Sequence, residues 1–170
     1  MLFIWSFYER RIRGLDSEAL PLTIDKLRRK RYEFLEHTAD EYIAAYGATL
    51  EKAFENAALA MFEVMTDTAQ VRPNEKDPIE AKGKDELELL FSWLEMLLKK
   101  FEIDGKVYSQ FKVNSIEKGA EGHFLLGEAR GEPFDPARHP SRSEIKAVTY
   151  HRMVIRRNAE GVTVEFILDI

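Results

Sequence analysis

The sequence predicts an α+β fold, a two-layer sandwich in which two helices pack on a mixed, largely antiparallel sheet. In the first hundred residues, two segments place apolar side chains three and four positions apart, which is the spacing of one helix face. From residue 107 onward, apolar residues recur at every second position instead, as in half-buried strands. Early helices followed by late strands argue against the regular β–α alternation of a doubly wound fold.

The first predicted elements are two short strands, 32–36 and 42–46, separated by the turn-like residues 37–40. Thr49 is a suitable N-cap for a helix over residues 50–65. Apolar side chains follow one face of this helix, so it needs a sheet to pack on.

The stretch 66–78 is polar and contains two prolines, which predicts a loop that leads into a short strand, 79–82. A second helix begins at Asp85, which forms an Asp-x-x-Glu variant of the capping box with Glu88. Because this helix is apolar on nearly every side, both a sheet and the other helix must cover it. Gly105 ends the connection that follows.

Four further strands with two hairpin-like connections are predicted after the second helix. The strands are 107–116, 123–130, 145–156 and 162–170, and the connections are 118–122 and 158–161. Apolar and polar residues alternate in the last strand, so that one of its faces is apolar. The proline-containing stretch 132–144 is interpreted either as an ordered functional loop or as a mobile one.

Composition limits the chemistry available to the chain. Its 170 residues include no cysteine, which excludes disulfides, thiolate metal sites, iron–sulfur clusters and thiol nucleophiles. Any metal must therefore be held by oxygen or imidazole. No apolar run approaches the roughly 18 residues that span a membrane, and a secretory signal is a poor interpretation of the N-terminus. We therefore expect a cytoplasmic protein.

The formal net charge of −5 is the sum of two unlike parts. Residues 1–31 hold eight basic and four acidic side chains and carry +4, whereas residues 32–170 carry −9. The basic extension is interpreted in three ways: an arm that docks on an anionic partner, an extra element packed on the domain, or an extension without a function. The overall negative charge argues against direct binding to a nucleic-acid backbone.

Several enzyme signatures are missing from the sequence. It contains no glycine-rich phosphate-binding loop, no nucleophile elbow and no paired-histidine zinc motif. No diagnostic metal spacing links the four histidines, which are His37, His123, His139 and His151. An enzyme in its own right is therefore disfavoured.

Two acidic features are candidates for binding a hard cation. Asp40 follows a strand in a turn of small residues, where a carboxylate can point outward from a rigid frame; the alternative is an Asx-turn or a cap. Asp169 lies beside the terminal carboxylate of Ile170, and these like charges repel each other unless water or a cation neutralises them. Oxygen clusters of this kind suit Ca²⁺ or Mg²⁺. Spacing alone leaves open whether Asp40 meets the terminus.

Lys146 is a third candidate. On a strand it shares a face with Val148 and Tyr150, while Thr149 and His151 lie on the other face. Beside an acidic metal centre, its cation could contact a phosphate or a carboxylate of a partner. The alternative is an edge-strand lysine that discourages aggregation.

Three motifs occur in a fixed order along the chain. They are His37-Thr38-Ala39-Asp40, Lys146-Ala147-Val148-Thr149-Tyr150 and Leu168-Asp169-Ile170. Together they resemble the archease family, over about residue 32 to the last residue and without the first 31. Archeases are accessory proteins of the RtcB-type RNA ligase, which joins RNA ends in tRNA splicing and RNA repair. The resemblance implies a protein that promotes guanylylation and multiple turnover of the ligase and broadens its use of nucleotides.

The resemblance also implies a site. Asp40 matches the family's metal-binding aspartate, Asp169 matches the penultimate one, and Ile170 matches the residue that contributes its terminal carboxylate; Ca²⁺ is the usual ion. Lys146 matches a lysine implicated in activation. We expect the metal-loaded acidic patch to dock near the ligase's nucleotide site and to order metal ions or the nucleotide for attack by the ligase's own nucleophile. The ligase would supply the positive RNA-binding surface, so RNA contact is at most indirect.

Two other functions remain open. A chaperone-like binding module would stabilise partner proteins without metal chemistry and would be indifferent to a change at Asp40. A stand-alone metal-dependent hydrolase would need a water-activating base, and only Glu36 and His37 are close to Asp40 in sequence.

Overall fold

The computed structural model describes residues 30–36 and 40–170. Most of the basic extension, residues 1–29, and the turn residues 37–39 lie outside the described residues. The interpretations of the extension and of the turn therefore stay predictions.

Two helices and seven strands make up the described part of the chain, with one turn of 3₁₀ helix at Thr68–Gln70. The helices are α1 (Leu50–Met65) and α2 (Glu86–Asp104). The strands are β1 (Tyr32–Leu35), β2 (Glu41–Gly47), β3 (Glu75–Gly83), β4 (Lys106–Gly119), β5 (Gly122–Pro133), β6 (Ala147–Asn158) and β7 (Gly161–Asp169). Neither helix is long and apolar enough to cross a membrane.

The strands form two sheets where a single mixed sheet was expected. One sheet has the order β1-β2-β7-β6 and the other has the order β3-β5-β4. All the strand pairs in the described residues are antiparallel. The α+β class and both helices are confirmed, and the core lies between the helices and the sheets. Its largest fully buried side chains include Phe54, Phe62, Trp93, Tyr108 and Phe166.

Helix α1 begins where Thr49 was expected to cap it. The Thr49 hydroxyl oxygen accepts a hydrogen bond from the main-chain N–H of Lys52 at 3.3 Å, which satisfies one of the free N–H groups of the first turn. The buried face of the helix is rich in alanine, and Ala53, Ala57 and Ala60 are fully buried. These small side chains allow the helix to pack closely, and it contacts β2, β4 and β7.

Helix α2 begins where Asp85 was expected to cap it, and it continues to Asp104, so that Gly105 caps the helix directly and does not end a separate connection. Asp85 Oδ1 accepts a hydrogen bond from the main-chain N–H of Glu88 at 2.8 Å. Gly105 follows the helix with a φ of 63°, a left-handed conformation that glycine adopts without steric cost. Trp93 is fully buried and donates from Nε1 to the main-chain oxygen of Phe54 at 3.1 Å, which ties α2 to α1.

Strand β3 begins at Glu75, earlier than the predicted start at residue 79, and it includes Pro78. The prediction was wrong here because the prolines were taken to exclude a strand. Pro78 is accommodated because β3 is an edge strand and pairs only with β5. An edge strand tolerates a residue that cannot donate a main-chain hydrogen bond on its open side.

The loop between β5 and β6 is anchored at two places. His139 is fully buried; its Nε2 lies 3.1 Å from Oε1 of Glu132, and its Nδ1 accepts from the main-chain N–H of Asp135 at 2.9 Å. Further along, the main-chain N–H groups of Arg142 and Ser143 donate to the last carbonyls of α1, at 3.0 and 3.1 Å. Of the two interpretations of this loop, the structure supports an ordered loop, and it leads directly into β6.

Candidate functional site

The structure brings the four predicted site residues to one end of the four-stranded sheet. The register of β2 and β7, continued by one residue, places Asp40 opposite Asp169. The register of β6 and β7, continued in the same way, places Lys146 opposite Ile170. Three segments that are far apart in sequence thus end side by side, because β7 lies between β2 and β6.

Lys146 makes two hydrogen bonds to the end of β7. Its main-chain N–H donates to the main-chain oxygen of Asp169 at 2.8 Å, and its Nζ donates to the main-chain oxygen of Ile170 at 2.8 Å. The residue precedes β6, which is an edge strand, so the expected edge position is found. Contact between its ammonium group and a phosphate or a partner stays a prediction.

The core holds the end of β7 in place. Phe166 and Leu168 are fully buried, and Ile170 is partly buried and packs against the same core. Asp169 alternates to the other face of the strand and is partly exposed. Its carboxylate is therefore carried by a rigid strand and remains accessible to solvent.

The donors gathered at this end of the sheet are oxygen atoms, which suit a hard divalent cation. They belong to the side-chain carboxylates of Asp40 and Asp169 and to the main-chain carboxylate of Ile170. Within residues 30–36 and 40–170, no three His, Asp or Glu side chains come together as potential metal ligands. The site expected from the sequence combines the two aspartates with the main-chain carboxylate of Ile170, and the metal stays a prediction. Water or a partner would complete the 6–8 oxygen ligands that Ca²⁺ takes.

A small polar network is centred on Glu165, in the middle of β7 and four residues before Asp169. The hydroxyl of Tyr42 on β2 donates to Glu165 on β7, and Glu165 also pairs with Arg156 on β6. The hydrogen bond to Glu165 and partial burial raise the pKa of Tyr42, so the phenol stays protonated and remains a donor. Arg152 lies over the Tyr42 ring, with its guanidinium carbon 5.8 Å from the ring centroid. The sequence analysis missed these residues, although the alternation in β7 places Glu165 on the same face as Asp169.

The pairing of β6 with β7 is interrupted by a bulge, residues 150–153, which we call the β6 bulge. Pairing stops at Thr149 and resumes at Val154, so that four residues of β6 stand opposite the single residue Phe166. Within the bulge, Arg152 has a φ of 53°, a left-handed conformation uncommon for residues other than glycine. The predicted alternation of faces along this strand therefore holds only as far as Thr149.

The histidines do not gather into a site in the part of the chain that the structure describes. His139 is buried in the loop before β6, His123 lies on β5 and His151 is exposed in the β6 bulge. Glu36, a base that a hydrolase could use, is exposed after β1 and belongs to no group of three potential ligands among the described residues. His37, the other base considered, lies outside the described residues.

Comparison with known proteins gives a family match over most of the chain. Residues 32–170 match the Archease protein family (MTH1598/TM1083). The chain is 45% identical over 141 residues to a protein archease of Sulfurisphaera tokodaii, which covers 83% of this chain and 99% of that protein. It is 43% identical over 139 residues to a protein archease of Methanopyrus kandleri, which covers 82% of this chain and 99% of that protein.

Two solved structures have the same fold. The solution structure of protein 1598 of Methanobacterium thermoautotrophicum is 40% identical with a TM-score of 0.70, and the match covers 82% of this chain and 99% of that one. The crystal structure of a Thermotoga maritima protein, described as an archease and possible chaperone, is 18% identical with a TM-score of 0.54. That match covers 81% of this chain and 96% of the Thermotoga chain, and at this identity it supports the fold alone.

Proposed function

The chain belongs to the archease family, and from this we propose that it activates an RtcB-type RNA ligase in tRNA splicing and RNA repair. It acts as an accessory protein that promotes guanylylation and multiple turnover of the ligase, and it does not carry out the ligation itself. The observation that carries the proposal is the meeting of Asp40, Asp169, Ile170 and Lys146 at one end of the sheet. These are the residues that the family resemblance singled out.

The charges at this end of the sheet favour a divalent cation. The two aspartates and the main-chain carboxylate of Ile170 contribute three negative charges, and the ammonium group of Lys146 offsets one of them. The remaining charge of about −2 matches one divalent ion, which we propose to be Ca²⁺. When bound, the ion would hold the three carboxylates together and offer further coordination positions to oxygen ligands of the partner.

The acidity of the domain supports a protein partner. Residues 32–170 carry a net charge of −9, which suits a partner with a positive surface and disfavours RNA as a direct ligand. An RNA ligase must present a positive surface to its substrate. In this proposal the acidic end of the sheet docks near the nucleotide site of the ligase, and Lys146 fixes the last residue of the chain in the orientation required for docking.

The proposal is tested with the purified ligase, nucleotide and RNA. Asp40→Asn removes one carboxylate with little change of shape, and deletion of Ile170 shifts the main-chain carboxylate back by one residue, to Asp169, and so out of the position that Lys146 holds. We expect both variants to fold normally by circular dichroism and to lose stimulation of guanylylation. Glu121→Gln, in the exposed β4–β5 turn, is the matched control and should stimulate like the wild type. Full stimulation by Asp40→Asn or by the deletion variant would overturn the proposal.

A chaperone-like function is the second candidate, because the Thermotoga maritima relative is described as a possible chaperone. A chaperone of this kind would suppress aggregation of unrelated unfolded proteins, with or without Ca²⁺. Suppression that is equal for the wild type and for Asp40→Asn would favour this function over ligase activation.

A further inference from the structure

Tyr150 on β6 and Phe91 on α2 form a stacked aromatic pair in which Tyr150 is exposed and Phe91 is partly buried. Tyr150 is 53% exposed, although it is a large aromatic residue. Its ring stacks on Phe91, with the ring centroids 4.2 Å apart and an interplanar angle of 10°. One face of the Tyr150 ring is thus supported by the protein, and the side chain is held in position with much of its surface open to solvent.

The β6 bulge sets this position. Tyr150 is the first residue of the bulge, and bulges change the direction of side chains on edge strands. Arg152, two residues later, is held over Tyr42 on β2, in a left-handed conformation that requires support from its surroundings. The bulge is therefore fixed against α2 through Tyr150 and against β2 through Arg152.

Two acidic residues lie at the start of α2, the helix that carries Phe91. Asp85 is the N-cap of α2 and Glu88 lies in its first turn. Glu88 precedes Phe91 by three residues and therefore lies on the same face of α2 as the ring that stacks on Tyr150. Partial burial, together with the negative charges of Glu88 and Asp85, raises the pKa of Tyr150. An exposed aromatic face near carboxylates is suited to a cationic side chain, above all arginine, which stacks on the ring and pairs with the acids.

We propose that Tyr150, Phe91, Asp85 and Glu88 form a docking surface for a basic protein surface that presents an arginine over the Tyr150 ring. The proposal rests on the proposed function, because an RNA-binding ligase carries such a surface. Carboxylates beside the ring repel RNA, so the occupant is a protein. Tyr150 follows Lys146 by four residues, about 13 Å of extended strand, so a partner docked here also reaches the acidic end of the sheet.

The test measures the Kd of the full-length protein for the purified ligase. Tyr150→Ala should weaken binding about 10-fold, which is the loss of one partly desolvated cation–π contact, and Tyr150→Arg should weaken it further by repulsion. Tyr150→Phe keeps the aromatic face and should bind like the wild type. Leu126→Ala is the control, because Leu126 is 49% exposed on the other sheet.

A second readout separates docking from the acidic site. Guanylylation stimulated by Tyr150→Ala should return to the wild-type level at a saturating concentration of the variant, whereas Asp40→Asn should not be rescued by concentration. Wild-type affinity in Tyr150→Ala and Tyr150→Arg would overturn the docking surface and leave the proposed function standing. The docking surface would also be overturned if the Tyr150 variants lost affinity for RNA and kept their affinity for the ligase. Absence of any binding between the wild type and the ligase would overturn the proposed function and this inference together.

Discussion

The side-chain Nζ of Lys146 donates a hydrogen bond to the main-chain oxygen of Ile170 at 2.8 Å, one residue beyond the end of the β6–β7 ladder. The contact joins a cation to the group that we propose as a metal ligand. Lys146 and a divalent cation are therefore expected to compete for the same oxygen atoms, and this competition gives the first prediction.

Lys146→Met is expected to bind Ca²⁺ at least as tightly as the wild type and to stimulate the ligase less. The substitution removes a positive charge beside Ile170, which favours a cation, and it removes the hydrogen bond that orients the last residue. Because Lys146 is exposed, stability should change by less than about 1 kcal/mol. Titration calorimetry and the guanylylation assay check the two effects, with Lys118→Met, exposed near the β4–β5 turn, as the control. Weaker Ca²⁺ binding by Lys146→Met would contradict the competition.

Extension of the chain by two glycines after Ile170 is expected to weaken Ca²⁺ binding about 10-fold or more. The added residues convert the main-chain carboxylate into a neutral peptide oxygen and move the negative charge away from Asp40 and Asp169. The same two glycines added at the N-terminus should have no effect. Equal Ca²⁺ affinity of the two extended proteins would rule out the carboxylate of Ile170 as a ligand.

Glu132 gives a prediction for the pH dependence of stability. Its hydrogen bonds to Arg138 and to the main-chain N–H of Arg72 lower its pKa from 4.5 to about 2. Because the pKa is lower in the folded state, the carboxylate contributes stability that is present above about pH 4.5 and is lost as the pH falls toward 2. Glu132→Gln should therefore lower the free energy of unfolding at pH 7, and the difference from the wild type should shrink in that acidic window.

Denaturant unfolding at a series of pH values checks this prediction. Glu80→Gln, at an exposed position on β3, is the control and should follow the wild type throughout. A constant difference between Glu132→Gln and the wild type from pH 7 to pH 2.5 would show that ionisation of Glu132 is not the cause.

Two glycines with different surroundings give a matched test of packing. A Cβ added at Gly131 would lie 1.8 Å from the main-chain oxygen of Val107, so the β4–β5 ladder would have to move. A Cβ added at Gly119 would lie 3.2 Å from the side chain of Phe124, which can shift. Gly131→Ala should lower stability by about 1–3 kcal/mol and Gly119→Ala by much less, as measured by thermal or denaturant unfolding. Equal effects would contradict the described approach of the two strands.

The helices could be predicted from the sequence because their signals are local. Thr49 and Asp85 were expected to begin the two helices, and both act as N-caps. Gly105, which was expected to end a connection, instead follows α2 directly. The division of the strands between two sheets could not be predicted, because alternation identifies a strand and does not identify its partner. The β6 bulge was missed for a related reason, since residues 150–153 contain no glycine or proline to indicate a break in pairing.

The sequence indicated which residues to consider for the candidate site, but it did not indicate that they lie side by side. Asp40, Asp169 and Lys146 were singled out by residue type and by family resemblance, but their meeting depends on the register of β7 with both of its neighbours. Polar pairs between strands, such as Tyr42 and Glu165, carry no motif and become visible only when the strands are aligned.

Strand β7 is the last element of the chain and yet lies at an interior position of its sheet, between β2 and β6. During synthesis, β2 and β6 cannot pair with β7 until it has been made, and their unpaired edges are exposed until then. A product released a few residues early would lack the end of this strand, and with it Asp169 and Ile170. Such a product would therefore lack two of the three carboxylates that we propose as ligands of the cation.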